Sequence, residues 1–522
     1  MNSLNNSLIP WDEFFGANNK IKLTLHDLPV FLNKKRWFAM KSSCIDACSL
    51  KLFARPFLDS FPELLFSIVE VGGTPQFVQY YFVPMLLVDH QTPLQNNDCV
   101  ISEFVSKGKK WLLIDAFLND AFCLFLRNLV KDSSKIPLEN VNLNFTCFSE
   151  VDKFQNTPTI RRLNLEQSHS SLVFDDIKIF KLYRRLAMGV NPELEMGRFL
   201  EESQGYSNSP KTYGSIELAG LTEEPITLGI YQQFCHHESD GWNLTLNFLE
   251  KLLDKFDLQF LNSSSEANNY FAFTYKIGET LGKLHSVSFQ TTNTKFVPER
   301  FSALDLVDLM ENISLSFDGA LLRLKDNLLE CSDSVREISE KIFSVKLKIR
   351  QGIPCWSRYV VEGWKIRIHG DLHLGQILAG QNEPIIIDFE GEPSKPLSKR
   401  RTKDSPLRDV AGMLRSFDYA AEMAKIAFFQ KKTTDSALKN NVKSLIETWK
   451  DRAVKEFISG YKFGLKKYSG KKADLFGSPF LSLYCLEKAL YELNYEFDNR
   501  PTWIEIPLSG VFQWSSMIIE KR

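Results

Sequence analysis

Three polar side chains between residues 368 and 393 have the types and spacing that phosphoryl transfer to a hydroxyl requires. Residues 368–378 read Ile-His-Gly-Asp-Leu-His-Leu-Gly-Gln-Ile-Leu. A polar turn, Gln381-Asn382-Glu383, then leads into Pro-Ile-Ile-Ile-Asp-Phe-Glu-Gly-Glu-Pro. Asp371 and Gln376 stand five apart on a loop, and Asp388 ends an apolar strand seventeen residues after Asp371. In such a transfer one carboxylate positions the attacking hydroxyl and accepts its proton, while an amide oxygen and a second carboxylate hold Mg2+ on the phosphates. Asp371 is therefore the expected base, with Gln376 and Asp388 the expected metal ligands. A lone His-Gly-Asp would say little, because acidic loop residues are commonly just solvated; the combined pattern is specific.

The order also follows the template HRDLxxxN then DFG, here as His369-Gly370-Asp371-Leu372 with Gln376, then Asp388-Phe389-Glu390. That template needs a cation on the nucleotide phosphates. Lys181 lies on an expected strand, 177–183, and Glu195, fourteen residues on, lies near the start of an expected helix. A glutamate there would orient the lysine toward the phosphates. No GxGxxG precedes Lys181, so backbone amides and the hydroxyls of Ser168, Ser170 and Ser171 are the expected phosphate cover. Adenine needs one backbone donor and one acceptor in an apolar slot; Gln233 to Cys235, at the exit of the strand 224–234, is the expected position.

Tyr484, Lys488, Tyr491 and Tyr495 fall at i, i+4, i+7 and i+11. One helix face thus carries three aromatics and a cation. Such a face suits a sugar, with its C–H patches and hydroxyls, or it packs into a core with the phenols bonded locally; spacing alone favours the core. His369 is expected to orient the loop beside the substrate rather than move protons. Asp409, opening the helix 407–420, is expected to hold that loop by hydrogen bonds or simply to cap its helix. Glu390 either reaches the metal or caps its turn. The basic run Lys399-Arg400-Arg401-Thr402-Lys403 reads as a solvated loop or a rim that attracts ATP.

These residues have to be positioned by an α+β chain. Residues 64–71 and 77–88 read as strands around the turn Gly72-Gly73-Thr74-Pro75, followed by a helix-like stretch at 115–130. The polar stretch 131–160 reads as a boundary linker. Strands at 170–174 and 177–183 flank the turn Asp175-Asp176, and Asn191-Pro192-Glu193 has the composition of a helix start. From 240 onward helical spacing dominates, at 269–289, 407–430 and 478–497, interrupted by the β-rich island at 366–390. The expected organisation is an N-terminal cap subdomain (1–130), the linker (131–160), a β-rich nucleotide-binding N-lobe (161–239) and a mostly helical C-lobe (240–522).

Composition narrows the class further. The 522 residues are 44% hydrophobic and 24% charged with a net charge of −1, which argues against disorder, coiled coil or a global attraction to nucleic acid or anionic membrane. The nine cysteines are scattered without a CxxC, so reduced thiols are expected rather than a disulfide framework or zinc module. Neither a leader-like N-terminus nor an apolar run of spanning length is evident, and a cytoplasmic location is expected.

Taken together, HGDLHLGQ, IDFEGEP and the run 404–421 resemble the bacterial maltokinases, which are aminoglycoside-phosphotransferase-like and related distantly to protein kinases. The likeness extends to residues 31–38 with Lys41, Glu166-Gln167-Ser168, 181–185, 189–200, 487–496 and 499–503. It implies a bilobal protein-kinase-like α+β fold with an added cap. It also implies ATP- and Mg2+-dependent phosphorylation of maltose at its anomeric hydroxyl, giving α-maltose 1-phosphate for α-glucan or glycogen synthesis from trehalose or maltose. Trehalose synthase is the partner it suggests, and Lys488, Tyr491 and Tyr495 the maltose contacts. Gln376 in place of the wider superfamily's Asn is shared by maltokinases. One alternative is another sugar on the same scaffold, such as glucosamine, whose ammonium would call for a carboxylate pair; the run 487–491 matches the maltose version instead. A second alternative is a non-catalytic binding protein, against which intact Lys181, Asp371, Gln376 and Asp388 argue.

Overall fold

The structure, a computed structural model, describes residues 11–40, 48–56, 61–72, 78–94, 97–138, 140–148, 158–163, 169–203, 206–358, 363–380, 383–432, 436–469 and 480–520. The chain divides into two units, Met1–Arg198 with Lys211–His236, and Phe199–Pro210 with His237–Arg522. Among the described residues no helix is long and apolar enough to cross a membrane.

The first unit holds two antiparallel sheets. Strands β1 (Cys48–Ala54), β2 (Leu64–Val71), β3 (Gln79–Phe82), β4 (Met85–Asp89), β5 (Val100–Ser106) and β6 (Lys109–Asp115) build the first, in the order β3-β2-β4-β6-β5 with β1 also on β2. The expected returning strand 77–88 is split at Val83-Pro84, because proline cannot donate to a ladder. β2 is apolar nearly throughout because both of its faces are covered. Leu64, Phe66 and Ile68 enter one core; Leu65, Val69 and Val71 enter another, with Phe31 and Leu32 of helix α1 (Leu28–Asn33).

The first of those cores is shared with helix α2 (Asp120–Lys131) and a second sheet. That sheet comprises β7 (Lys135–Leu138), β8 (Val141–Cys147), β9 (Ile160–Arg162), β10 (His169–Phe174), β11 (Lys178–Tyr183), β13 (Thr212–Ala219) and β14 (Ile226–Gln233), ordered β7-β8-β13-β14-β11-β10-β9; the short β12 (Arg185–Leu186) joins the first sheet instead. The stretch expected as a linker therefore carries two strands. Its asparagines alternate with buried Val141, Leu143 and Phe145, a period of two that its polar composition hid. Asp175 and Asp176 have φ of 54° and 52°, the left-handed conformation of a tight hairpin turn. The cap and nucleotide segments are thus one unit rather than two.

The guanidinium of Arg184, 1% exposed, ties the two sheets together. It donates to Asp115 Oδ2 at 2.7 Å and to Ser170 Oγ at 2.9 Å, beneath the rings of Trp37 and Phe117.

Helix α3 (Pro192–Glu202) leads into the second unit, which is built from helices α4 (Gly241–Lys255), α5 (Ser265–Val287), α6 (Ala303–Asn327), α7 (Asp333–Gly352), α8 (Leu407–Lys431), α9 (Ser436–Ser469), α10 (Leu481–Asn499) and α11 (Glu505–Glu520). Two small hairpins accompany them: β15 (Glu299–Arg300) with β16 (Trp364–Lys365), and β17 (Ile377–Ala379) with β18 (Pro384–Ile386). The sequence expectation placed α5, α8 and α10 within a few residues. Helices α5 and α9 lie unusually close: a Cβ at Gly278 would overlap the Phe457 carbonyl, and one at Gly460 the Tyr275 carbonyl. This approach brings His285 on α5 to Tyr461 on α9.

Breaking a buried ion pair from one side leaves a bare charge in the interior. Arg184→Leu is therefore expected to cost about 3–5 kcal/mol in urea denaturation; a cost below about 1 kcal/mol would mean that the pair is no stronger than a surface one.

Candidate functional site

The loop bearing Asp371 is held from beneath by one carboxylate. Asp409, at the start of α8 and 1% exposed, accepts the backbone N–H of His369 and of Gly370, each at 2.8 Å. His285 Nε2 lies 3.0 Å from the same carboxylate, and Tyr461 Oη lies 2.8 Å from His285 Nδ1. Burial pushes the Asp409 carboxyl up, but the His285 hydrogen bond and the loop amides outweigh it and the net shift is downward. Gly370 adopts φ of 83°, which glycine accommodates without strain.

His369 is 1% exposed. Its Nδ1 accepts the Asp371 N–H at 3.3 Å, which assigns the proton to Nε2, and Nε2–H donates to the Ile387 carbonyl at 2.8 Å. The expectation of a histidine beside the substrate is corrected here. The ring is enclosed and fully engaged, and it stitches the Asp371 loop to Ile387, between the end of β18 and Asp388.

At the front of the loop, Lys488 Nζ on α10 donates to Asp371 Oδ1 at 3.0 Å. Burial alone would raise the Asp371 carboxyl; the Lys488 ammonium and His373 outweigh it and hold it below its ordinary value. Burial likewise opposes the Lys488 charge, and Asp371 and Glu392 more than restore it. Asp371 is thus kept ionised, the state in which a base accepts a proton.

Gln376 and Asp388 meet as the spacing requires. Gln376 Nε2 donates to Asp388 Oδ2 at 2.8 Å, while its backbone is fixed by His373 and Ile387. Donation through nitrogen leaves the amide oxygen for a cation. Asp388 has φ of 66°, a strained conformation for a non-glycine residue of the kind found at functional sites. Glu390 brings a carboxylate oxygen within 4.8 Å of Asp388. An all-oxygen donor set of this kind fits Mg2+.

In the first unit, Lys181 Nζ donates to Glu193 Oε1 at 2.6 Å, and Tyr183 Oη donates to Glu193 Oε2 at 2.8 Å. Glu193 is 1% exposed, and its own N–H is capped by Asn191. The expected partner, Glu195, is displaced by two residues. Positions two apart on a helix point about 200° apart, and it is Glu193 that faces β11.

The serines also divide. Ser170 and Ser171 are adjacent on β10 and so point to opposite faces. Ser170 is spent on Arg184 inside the core, which excludes it as phosphate cover. Ser171 stands opposite Lys181 in register, buried and with its hydroxyl unpartnered. Ser168 lies outside the described residues. The N–H of Gln233 is taken by the Lys211 carbonyl and that of Phe234 by Ile177, so Gln233 is no backbone donor for adenine. Cys235 follows the strand, with burial pushing its thiol up to about 11.

On α10, Lys488 lies over the Tyr491 ring at 4.7 Å, and Tyr491 and Tyr495 stand 6.3 Å apart. Tyr484 is buried beside Arg408, whereas Tyr495 is 41% exposed. Burial pushes the Tyr491 hydroxyl up to about 12. Gly370, Asp371, Glu392, Arg408, Tyr484 and Lys488 line a small cleft of about 20 Å3.

Arg408 is neutralised by Asp404 and Glu487, so Glu487, part of the run read as a maltose signature, is committed to structure. Glu392 was not singled out from sequence. It is 5% exposed; one oxygen pairs with Lys395 at 2.7 Å, and the other is buried without a hydrogen-bond partner. Its place in the quoted IDFEGEP run was the available signal.

No family model matches the chain. The chain is 24% identical over 370 residues to a glucosamine kinase of Mycolicibacterium smegmatis, covering 70% of this chain and 81% of that protein. It is 27% identical over 142 residues to a glucosamine kinase of Streptacidiphilus jiangxiensis, spanning 30% of that protein's length. Among solved structures, a glucosamine kinase in complex with glucosamine, ADP and inorganic phosphate superposes with a TM-score of 0.64 at 16% identity, covering 94% of this chain and 98% of that one. The fold is thus kinase-like, mixed α and β, and related to that of glucosamine kinases; the narrower maltokinase likeness does not follow from these relatives.

Removing the Lys488 charge removes the main influence that lowers Asp371 and leaves burial, which raises it. Lys488→Met is therefore expected to move the acid limb of the kcat/KM profile to higher pH. An unmoved limb would detach that limb from the Asp371–Lys488 pair.

Proposed function

We propose that the protein is an ATP-dependent sugar kinase that acts on an amino sugar of the glucosamine type. The relationship to glucosamine kinases supports a phosphotransferase acting on a sugar. The observation that carries the substrate reading is Glu392. A buried carboxylate oxygen without a partner, in the cleft of Asp371, awaits a donor, and burying it bare costs more than a neutral group would. Arg408 is offset by Asp404 and Glu487, Asp371 by Lys488 and one Glu392 oxygen by Lys395, so the other Glu392 oxygen is the acceptor left over for a substrate ammonium.

In this reading Asp371 orients the attacking hydroxyl and takes its proton. Lys181, held by Glu193, neutralises nucleotide phosphate charge. Asp388 and Gln376 would hold Mg2+, which would supply neutralisation of the phosphate charge. Most of the rate then comes from positioning and electrostatics rather than covalent chemistry.

Maltose is the second reading. The Tyr491–Tyr495 pair, partly exposed beside Lys488, offers a stacking platform for a second glucose ring. Under it the product enters α-glucan synthesis, and trehalose synthase is the partner to test.

A substrate screen for ADP release separates the two: turnover with glucosamine and not maltose is expected, and the reverse would overturn the amino-sugar reading. Glu392→Gln is expected to lower kcat/KM for glucosamine by roughly 10–100-fold, the worth of one charge-assisted hydrogen bond. Asp371→Ala is expected to lower kcat by roughly 10²–10⁴-fold with ATP binding retained; unchanged turnover would remove Asp371 from the reaction.

A further inference from the structure

His373 stands between the expected base and the first expected metal ligand, two residues after Asp371 and three before Gln376. Its neighbours point inward. Leu372 and Leu374 are 2% and 0% exposed, and the Leu374 N–H donates to Ser416 Oγ on α8 at 3.0 Å. The backbone of His373 is extended, with φ of −152° and ψ of 171°, so its side chain faces away from both leucines. The imidazole is half-buried, and the charges of Asp371 and Asp388 both reach it. It therefore lies on the side of the loop where hydroxyl and phosphate have to meet.

The ring is held in one orientation. Nδ1 accepts the Gly375 N–H at 3.1 Å, which assigns the ring proton to Nε2. A Cβ at Gly375 would stand 2.9 Å from Cε1 and 3.0 Å from Nδ1, so glycine is what lets the ring lie across the turn Leu374–Gln376. The His373 carbonyl in turn accepts the Gln376 N–H at 2.9 Å. Burial lowers the proton affinity of the ring more than Asp371 restores it, in keeping with a neutral imidazole.

The far nitrogen is not used by any of this. Nε2–H has no hydrogen-bond partner among the described residues and is not sealed in the interior. Capping the turn does not account for it: a short side-chain oxygen serves there, and Asn or Asp is the usual choice. The other donors around the loop are committed. Lys488 is aimed at Asp371, Gln376 Nε2 at Asp388 and His369 Nε2 at Ile387.

We propose that His373 is a catalytic residue of the transfer, its Nε2–H donating to a non-bridging oxygen of the phosphoryl group as that group passes from the nucleotide to the substrate hydroxyl. In that step the hydroxyl oxygen bonds to phosphorus, and the bond from phosphorus to the bridging oxygen breaks with its electron pair leaving on ADP. The hydroxyl proton goes to Asp371, and His373 keeps its own. A donor fixed beforehand where negative charge is spread over the phosphoryl oxygens lowers the barrier without reorganising during the reaction. The proposal rests on the kinase reading above and holds whichever sugar is the acceptor.

Two variants of different reach test it. In His373→Asn the shorter amide can still accept the Gly375 N–H but places no donor at the Nε2 position; His373→Gln carries an amide N–H further out. With ATP and whichever of glucosamine and maltose the substrate screen selects, His373→Asn is expected to lower kcat by roughly 10²–10³-fold with both KM values within about threefold of wild type. His373→Gln is expected to recover about tenfold of that loss. Calorimetry separates contact with the transferred group from a loosened loop. MgADP alone is expected to bind wild type and His373→Asn alike. Fluoroaluminate, a mimic of the transferred phosphoryl group, added with the sugar present is expected to tighten MgADP binding about tenfold in wild type and not in the variant. Unchanged kcat in His373→Asn, or fluoroaluminate that tightens MgADP binding equally or not at all in the two proteins, would overturn the proposal and leave the kinase reading in place. A wild-type protein that turns over no sugar would remove that reading, and the proposal with it.

Discussion

Two backbone N–H groups donating to one buried carboxylate fix the loop on which the candidate site of the second unit depends. Asp409 holds the amides of His369 and Gly370 at 2.8 Å each, and the next residue in the chain is Asp371. A carboxylate that is 1% exposed would be costly in isolation. Here it is satisfied by the loop amides and by His285, itself anchored on Tyr461 across the close α5–α9 contact. The loop, the helix pair and the segment from β18 to Asp388 are therefore one rigid construction. That is what a reaction depending on positioning needs, because small misplacements of the reacting groups are costly.

Charge compensation recurs within each unit. In the second, Lys488 keeps Asp371 ionised despite its burial, and Asp404 and Glu487 absorb Arg408; in the first, Glu193 holds Lys181 while Tyr183 holds Glu193. Against that background, a buried acceptor left unsatisfied is informative. The charge of Glu392 is met by Lys395, but its second oxygen has no hydrogen-bond partner. Glu392 lines the Asp371 cleft rather than a packed core, where an unsatisfied acceptor would simply destabilise.

The juxtaposition of Gln376 and Asp388 was legible because Asp371, Gln376 and Asp388 span only eighteen residues, and two short strands bring the last two together. The helices of the second unit were legible from apolar periodicity. The linker at 131–160 was misread because composition was weighed above alternation, although Val141, Leu143 and Phe145 carried the period of a strand. The choice of Ser170 as phosphate cover overlooked the same rule: neighbouring strand residues cannot share a face.

Sequence by itself determined the chemistry that can be offered, since residue type decides which group can accept a proton, hold a metal or carry a cation, and local spacing decides which of them share a loop. It also determined the elements, through the two periods of strand and helix. Tertiary structure decided the partners. Glu193 rather than Glu195 meets Lys181 because helix phase matters only once β11 lies beside the helix; His285 meets Asp409 across 124 residues of chain. Whether Glu392 is satisfied or left waiting depends on every neighbour within hydrogen-bonding reach, and that neighbourhood is assembled from distant segments whose encounter no local pattern encodes.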